Sequence, residues 1–194
     1  ILNLKNYKNF DFKFIHFSTD QFYDTKLNKE NSKIFLNNNY CTHKRMAEIE
    51  CLKKNCLVFR INFFGKSLKN KSFSDWVYYS FKKRNKTPVY LFNDIFFNPL
   101  RITTIAKIIS LIIIEKKYKN RGIFNLGSKT GMSKSEFALI FAKKTKVLNR
   151  NYKFIHANDL LKTKRSNNMI MDVRKFEKKF LINLPNISQE INNE

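Results

Sequence analysis

The sequence predicts an α/β fold on three observations. An apolar, β-prone run, Phe12-Lys13-Phe14-Ile15-His16-Phe17, stops at the small polar residues Ser18-Thr19-Asp20. Residues 40–54 contain no Gly or Pro, and Met46, Ile49, Leu52 and then Cys56 recur near helical spacing around Lys44, Arg45, Glu48 and Lys53. A second β-prone run, 56–63, follows at once, and strands alternating with helices in this way define the class.

The elements can be justified in order. Strand 12–17 leads into a polar segment, 21–39, rich in Asn, Asp and Lys, whose length makes it either a disordered connection or a flap. Helix 40–54 and strand 56–63 come next. Residues 72–84 fit a helix with Phe73, Trp76, Val77 and Phe81 on one side, 87–92 a short strand, and 101–117 a helix buried through its apolar stretch 105–114. That stretch is interrupted by Lys107 and is shorter than the roughly 20 apolar residues a bilayer requires, so no membrane partner is expected. Residues 122–126 read as a strand. Ser133 reads as the cap of a helix running to Lys146, with Glu136 three residues on as in a capping box and Phe137, Ile140 and Phe141 as its buried stripe. Residues 152–156 and 169–171 read as edge strands, 173–180 as a last helix, and the polar chain after Pro185 as a frayed tail.

The residues at the end of the first strand and the start of the first helix carry the chemistry. A ketone accepts hydride only if something protonates the developing alkoxide, and a tyrosine can do so near neutral pH if its pKa is lowered by an adjacent ammonium. Tyr40 and Lys44 lie four apart, which on a helix places them on one face. Ligands in open α/β sheets bind at the carboxyl ends of strands, which is where Thr19 falls, in reach of the same carbonyl oxygen.

Composition excludes several functions. Lys and Arg number 38 against 15 Asp and Glu, for a net charge of +23, yet the lysines are spread throughout among many Asn, Ile and Phe. With no basic tail, no Cys/His finger and no RNA-binding aromatic signature, AT-rich codons account for this set, and only weak, salt-sensitive adhesion to polyanions is expected. The three cysteines, Cys41, Cys51 and Cys56, form no metal-ligand set, and His16, His43 and His156 are scattered, so no metal is expected; reduced thiols suit a cytoplasmic protein.

Further motifs continue in a fixed order: Phe59-Arg60-Ile61-Asn62-Phe63-Phe64-Gly65, Phe73-Ser74-Asp75-Trp76, Asn93-Asp94-Ile95-Phe96-Phe97-Asn98-Pro99, Gly122-Ile123-Phe124-Asn125-Leu126-Gly127 and Met171-Asp172-Val173-Arg174-Lys175-Phe176 with Leu184-Pro185. Together with Ser18-Thr19-Asp20 and Tyr40-Cys41-Thr42-His43-Lys44, they resemble the extended short-chain dehydrogenase/reductase superfamily, and within it the dTDP-4-dehydrorhamnose reductase type of sugar-nucleotide reductase. The resemblance implies the carboxyl-terminal part of a Rossmann-like parallel sheet with a smaller substrate-binding lobe: residues 1–65 as the catalytic half, 66–185 mainly the lobe and the last core elements, 186–194 a tail. It implies Tyr40 as proton donor, Lys44 as the residue that holds the nicotinamide ribose and lowers the tyrosine pKa, and Thr19 as the group that orients the carbonyl. Ser18 joins Tyr40 and Lys44 on the coenzyme side, while Asp20, Gln21, Asn62, Phe63, Asp94 and Pro99 fall on the substrate side. The partners implied are NADP or NAD and a nucleotide-sugar, in a chain that can form a homodimer. Asp20-Gln21 departs from the Asp-Glu pair of the related 4,6-dehydratases, which favours simple reduction over dehydration.

The family opens with a strand, a glycine-rich turn and a helix that receive the coenzyme pyrophosphate. The four glycines here, Gly65, Gly122, Gly127 and Gly131, form no such array. Roughly 90 residues, as βαβ units of about 30 each, would normally precede the first strand, so the expectation is the carboxyl-terminal part of a longer enzyme or the product of a truncated gene. On that expectation the isolated chain holds only the nicotinamide half of the coenzyme and turns over weakly or not at all. Two rival readings stand beside it: a non-catalytic remnant or regulatory binding subunit of the same fold, and a basic nucleic-acid-binding protein.

Overall fold

The computed structural model describes residues 14–54, 56–83, 87–160 and 166–193. The start of the expected first strand, at Phe12 and Lys13, and the end of the expected helix at Arg84 lie outside them.

Three parallel strands form the central sheet in the order β1–β2–β7: β1 (Ile15–Thr19), β2 (Leu57–Ile61) and β7 (Gly122–Leu126). The crossover between the first two is α1 (Asn39–Lys53), one residue displaced at each end from the sequence expectation. The run 56–63 divides at Asn62, because Phe63 and Phe64 form a separate strand, β3, that pairs with β6 (Leu100–Arg101). After α2 (Phe73–Lys82), β4 (Val89–Phe92) pairs in parallel with β9 (Tyr152–Ile155), and β5 (Phe96–Phe97) pairs antiparallel with β8 (Met132–Ser133). The helices α3 (Ile102–Ile114), α4 (Lys134–Lys144), α5 (Ala157–Leu160), α6 (Arg174–Phe180) and α7 (Ile187–Asn192) complete the described chain.

Two hydrophobic clusters support this arrangement. One packs Leu57, Phe59, Phe124 and Leu126 of the sheet against Ile105, Ile108 and Ile112 of α3 and Phe176 and Phe180 of α6. The other joins Phe64, Val77, Phe81, Leu91, Phe97, Phe137 and Phe141 with Ile187 and Ile191. Period-four spacing on α3 puts one stripe inside and leaves Leu111, Ile113 and Ile114 exposed, so that helix is buried on one face only. For the same reason Ile140 on α4 and Trp76 on α2 point outward, Trp76 stacking on Phe73 at 5.8 Å between ring centroids.

Four segments depart from the sequence expectation in instructive ways. On α1 the apolar stripe faces out, with Met46 and Ile49 exposed, while Cys41 and Glu48 are buried. Glu48 can be inside because Arg60 of β2, also fully buried, donates to both its carboxylate oxygens at 2.8 Å. The segment 21–39 is neither loose nor unattached. Phe22 and Tyr23 are completely buried, Tyr23 accepts a bond from Arg60 (2.6 Å) and donates to Asn125 (2.8 Å), and Asn28 Nδ2 bonds the carbonyls of Asn168 and Ile170. Residues 169–171 form no strand, Met171 making a single isolated bridge to Asn28.

The tail after Pro185 is the helix α7, not a frayed end. Its Glu190 carboxylate accepts from the Arg101 backbone N–H (2.6 Å) and the Thr104 hydroxyl (2.9 Å). These are groups at the amino terminus of α3, which has no side-chain cap of its own, so α7 supplies from a distance what a local Ser or Asp normally supplies.

Candidate active site

Thr19 of β1 stands in register with Ile61 of β2, and Ile61 with Leu126 of β7. The three strands therefore finish together, and Asp20, Asn62 and Gly127 are the first residues beyond them. Tyr40 reaches this edge because Asn38 caps α1, its side-chain oxygen accepting the Cys41 N–H at 3.0 Å and fixing where the helix begins.

Thr19 is buried, accepts the Gln21 N–H at 3.2 Å, donates to the Asp20 carboxylate at 3.4 Å, and lies close enough to the Tyr40 phenol to favour its charged form. Tyr40 itself is 48% exposed, open to a ligand on one side. Lys44 lies on the same helix face, its ammonium 5.9 Å from the Tyr40 ring centroid, and donates to the Phe17 carbonyl at 3.0 Å. The expected depression of the tyrosine pKa is not produced by this geometry. Burial pushes the phenol above its ordinary value, the nearby Thr19 hydroxyl offsets this in part, and the neighbouring Asp20 charge adds to the rise. The Lys44 ammonium is engaged with a backbone carbonyl rather than with the phenol oxygen.

Asp20 is the most perturbed group of the site. It is 2% exposed, and burial pushes its carboxyl from 3.8 to about 6 against the hydrogen bond from Asn62 and the charge of Lys134. Beside it lies a cavity of about 190 Å³ lined by Gln21, Asn38 and Asn62 together with Phe73, Phe97 and Lys134. The Lys134 ammonium sits 5.1 Å above the Phe73 ring and 5.9 Å above that of Phe97. Ser166 closes one side, its hydroxyl donating to the Gln21 carbonyl at 3.1 Å.

The structure thus brings together Thr19, Asp20, Gln21, Tyr40, Lys44 and Asn62. Ser18 is turned away: its hydroxyl is buried close enough to Glu48 to favour that carboxylate's charge, but makes no bond of normal geometry. Phe63 is half exposed on β3 and does not line the cavity. Asp94 is occupied structurally, both carboxylate oxygens accepting the Ala157 N–H at 3.0 Å at the start of α5. Pro99 is buried, and the part of its loop that reaches the cavity is Phe97. Sequence reasoning missed Asn38, Phe73, Phe97, Lys134 and Ser166. The sequence places Lys134 at the first position of α4, directly after the capping residue Ser133, but does not say which way it faces. Among the described residues no group of three or more His, Cys, Asp and Glu could hold a metal ion, and no helix is long and apolar enough to cross a membrane.

A parallel sheet flanked by helices, with its polar cleft at the carboxyl ends of the strands, is a Rossmann-like α/β architecture. The RmlD substrate binding domain matches residues 5–193, and the chain belongs to that family. The fold is similar to the dTDP-4-dehydrorhamnose reductase of Bacillus anthracis solved in complex with NADP, at TM-score 0.79 and 15% identity over 93% of this chain and 64% of the reductase. It is also similar to a hypothetical dTDP-4-dehydrorhamnose reductase from Sulfolobus tokodaii, at TM-score 0.72 and 24% identity over 87% of this chain and 58% of that one. The dTDP-glucose 4,6-dehydratase of Bacillus anthracis in complex with NAD shares the fold at TM-score 0.75 and 15% identity, over 98% and 62% of the two chains. The chain therefore spans somewhat under two thirds of the length of these enzymes. No curated protein sequence matches it significantly.

Proposed function

We propose that this chain is the substrate-handling and proton-donating part of a sugar-nucleotide reductase, acting on a 4-keto nucleotide-sugar of the dTDP-4-dehydrorhamnose kind. The observation that carries the reading is the proximity of Tyr40, at the start of α1, to Thr19, at the carboxyl end of β1, beside a cavity lined by Gln21 and Asn62. Family membership supports it.

The donor set fits the nicotinamide end of NADP or NAD, since the Tyr40 phenol and the Lys44 ammonium share one face of α1 at that strand end. Bound reduced coenzyme would supply the hydride. The chain has no glycine-rich turn for the pyrophosphate, and we assign that half to a segment outside the described residues. Tyr40 gives its proton to the developing alkoxide and becomes a phenolate. Lys44, one helical turn away and bound to the Phe17 carbonyl in the free site, supplies the positive charge that stabilises that phenolate once it forms. Thr19 donates to the same oxygen and holds the carbonyl in line. Asp20 and Asn62 fix each other, and with Gln21 in place of a second acid the site lacks the partner that elimination chemistry uses.

The test is Tyr40→Phe in the complete enzyme. Loss of a general acid lowers turnover by about 10²- to 10⁴-fold. Near-normal turnover of the variant would remove Tyr40 from the role. Saturable oxidation of NAD(P)H with a sugar-nucleotide ketone by these residues alone would instead overturn the assignment of the pyrophosphate site to a further segment.

A further inference from the structure

Away from the strand ends that carry the cleft, two of the three cysteines are joined by a backbone hydrogen bond. Cys51 lies in the last turns of α1, and Cys56 immediately precedes β2. Their backbones are clamped. The Cys56 N–H donates to the Cys51 carbonyl at 3.1 Å, the same carbonyl receives the Lys54 N–H at 3.1 Å, and the Cys56 carbonyl accepts the Gly122 N–H at 3.2 Å. A direct backbone bond between the two residues holds their Cα atoms near the spacing a disulfide needs, roughly 4.4–6.8 Å. The two thiols lie close enough to shift one another's titration, and the Cys56 thiol also donates to the Lys54 carbonyl at 3.9 Å. Both residues are partly exposed, whereas Cys41, at the opposite end of the helix, is fully buried.

We infer that Cys51 and Cys56 are a modification site, oxidised by small-molecule disulfides of the glutathione class to an intrachain bond that staples the end of α1 to the start of β2. The chemistry balances in two exchanges. The Cys56 thiol loses its proton to solvent and attacks the disulfide, releasing one thiolate and forming a mixed disulfide. The Cys51 thiolate then attacks the Cys56 sulfur and releases the second. Two protein thiols and one small disulfide become one protein disulfide and two small thiols, the two electrons passing to the small molecule. The neighbouring Cys51 thiol favours a Cys56 thiolate, so Cys56 is the first nucleophile. Burial pushes both thiols up, Cys51 to about 11 with the nearby Cys56 adding to the rise, so exchange is slow at neutral pH. Below those pKa values the thiolate fraction, and with it the rate, rises about tenfold per pH unit.

The full chain is incubated folded with oxidised glutathione at pH 7 and pH 8.5, quenched, and read by thiol titration and peptide mapping. The expected result is a fall from three free thiols to one, a Cys51–Cys56 peptide, faster reaction at pH 8.5, and full reversal by dithiothreitol. The closed loop is short, and the oxidised protein should melt about 5 °C higher. Cys51→Ser should stop at a glutathione adduct on Cys56. A folded protein that keeps all three thiols while its urea-unfolded form reacts would overturn the inference. So would a stable glutathione adduct in the native sequence with no internal bond.

Discussion

Asp20→Asn should stabilise this protein, and only at neutral pH. The carboxyl is buried at 2% exposure and its pKa is raised from 3.8 to about 6, mainly by loss of solvation. Between those two pH values the unfolded chain has released the proton while the folded chain still holds it, so stability falls as pH rises through that window. At about 1.4 kcal/mol per pH unit the full cost above pH 6 is about 3 kcal/mol. Asparagine does not titrate, and its oxygen can still accept the bond that Asn62 donates to Asp20. Glu48, Asp75 and Asp172 are held below their ordinary values and lose their contribution in acid, but they are common to both proteins and cancel in the difference. Urea unfolding of the two proteins at pH 4, 5, 6 and 7.5 should show near-equal stability at pH 4. The gap should widen to about 3 kcal/mol at pH 7.5, or about 6–12 °C in Tm for a chain of this size. A difference that does not change with pH would refute the burial argument. Such a cost at a strand end facing a cleft is what a functional carboxylate is expected to carry.

The buried pair and the distant helix cap give two further expectations. Glu48→Gln leaves the fully buried Arg60 guanidinium without its counter-charge, and should cost about 3–5 kcal/mol in denaturant unfolding. The double replacement Glu48→Leu with Arg60→Met should cost clearly less than the single one, and equal losses would show that packing rather than charge dominates. Glu190→Ala removes the acceptor for Arg101 N–H and the Thr104 hydroxyl, and should lower the urea midpoint by the equivalent of about 1–2 kcal/mol with an unchanged slope. A midpoint equal to that of the unchanged protein would mean that α7 does not cap α3.

What the sequence discloses here is whatever rests on local chemistry. The strand Gly122–Leu126 is found at its expected bounds, and α1 within a residue. The Ser133–Glu136 capping box forms both of its bonds, because each partner lies within one turn of the other. What depends on partners far along the chain is not legible. The periodicity of α1 points Met46 and Ile49 inward, yet the buried positions are Cys41 and Glu48, since only the pairing with Arg60 on β2 makes a carboxylate tolerable inside. Residues 187–192 are polar enough to read as a tail, but Ile187 and Ile191 fill the second hydrophobic cluster, and Glu190 finds its partners some 90 residues earlier. The site divides in the same way. Thr19, Tyr40 and Lys44 follow from spacing within one crossover, whereas Lys134 and Phe97 reach the cavity only through the packing of α4 and β5.

The polar interior explains how a cleft built partly from a long connecting segment can be precise. Gln21 and Asn38 both line the cavity and stand near the two ends of the segment 21–39, a stretch that would be mobile if only its length mattered. Its middle is fixed by groups that cannot be satisfied elsewhere. Tyr23 bridges Arg60 and Asn125, and burial raises its pKa to about 12, so it stays protonated and keeps donating across the working pH range. The Asn125 amide in turn binds the carbonyls of Asn28 and Asp172, and its backbone N–H is accepted by Glu30. Breaking any one of these leaves a polar atom buried without a partner, at about 1–3 kcal/mol each. The start of α1, and with it Tyr40, is therefore positioned from two sides: by the strand that ends at Thr19 and by a strap whose register is set through the buried network at Arg60. The same residues that make this interior expensive to disturb are the ones that set where α1 begins relative to the carboxyl end of β1.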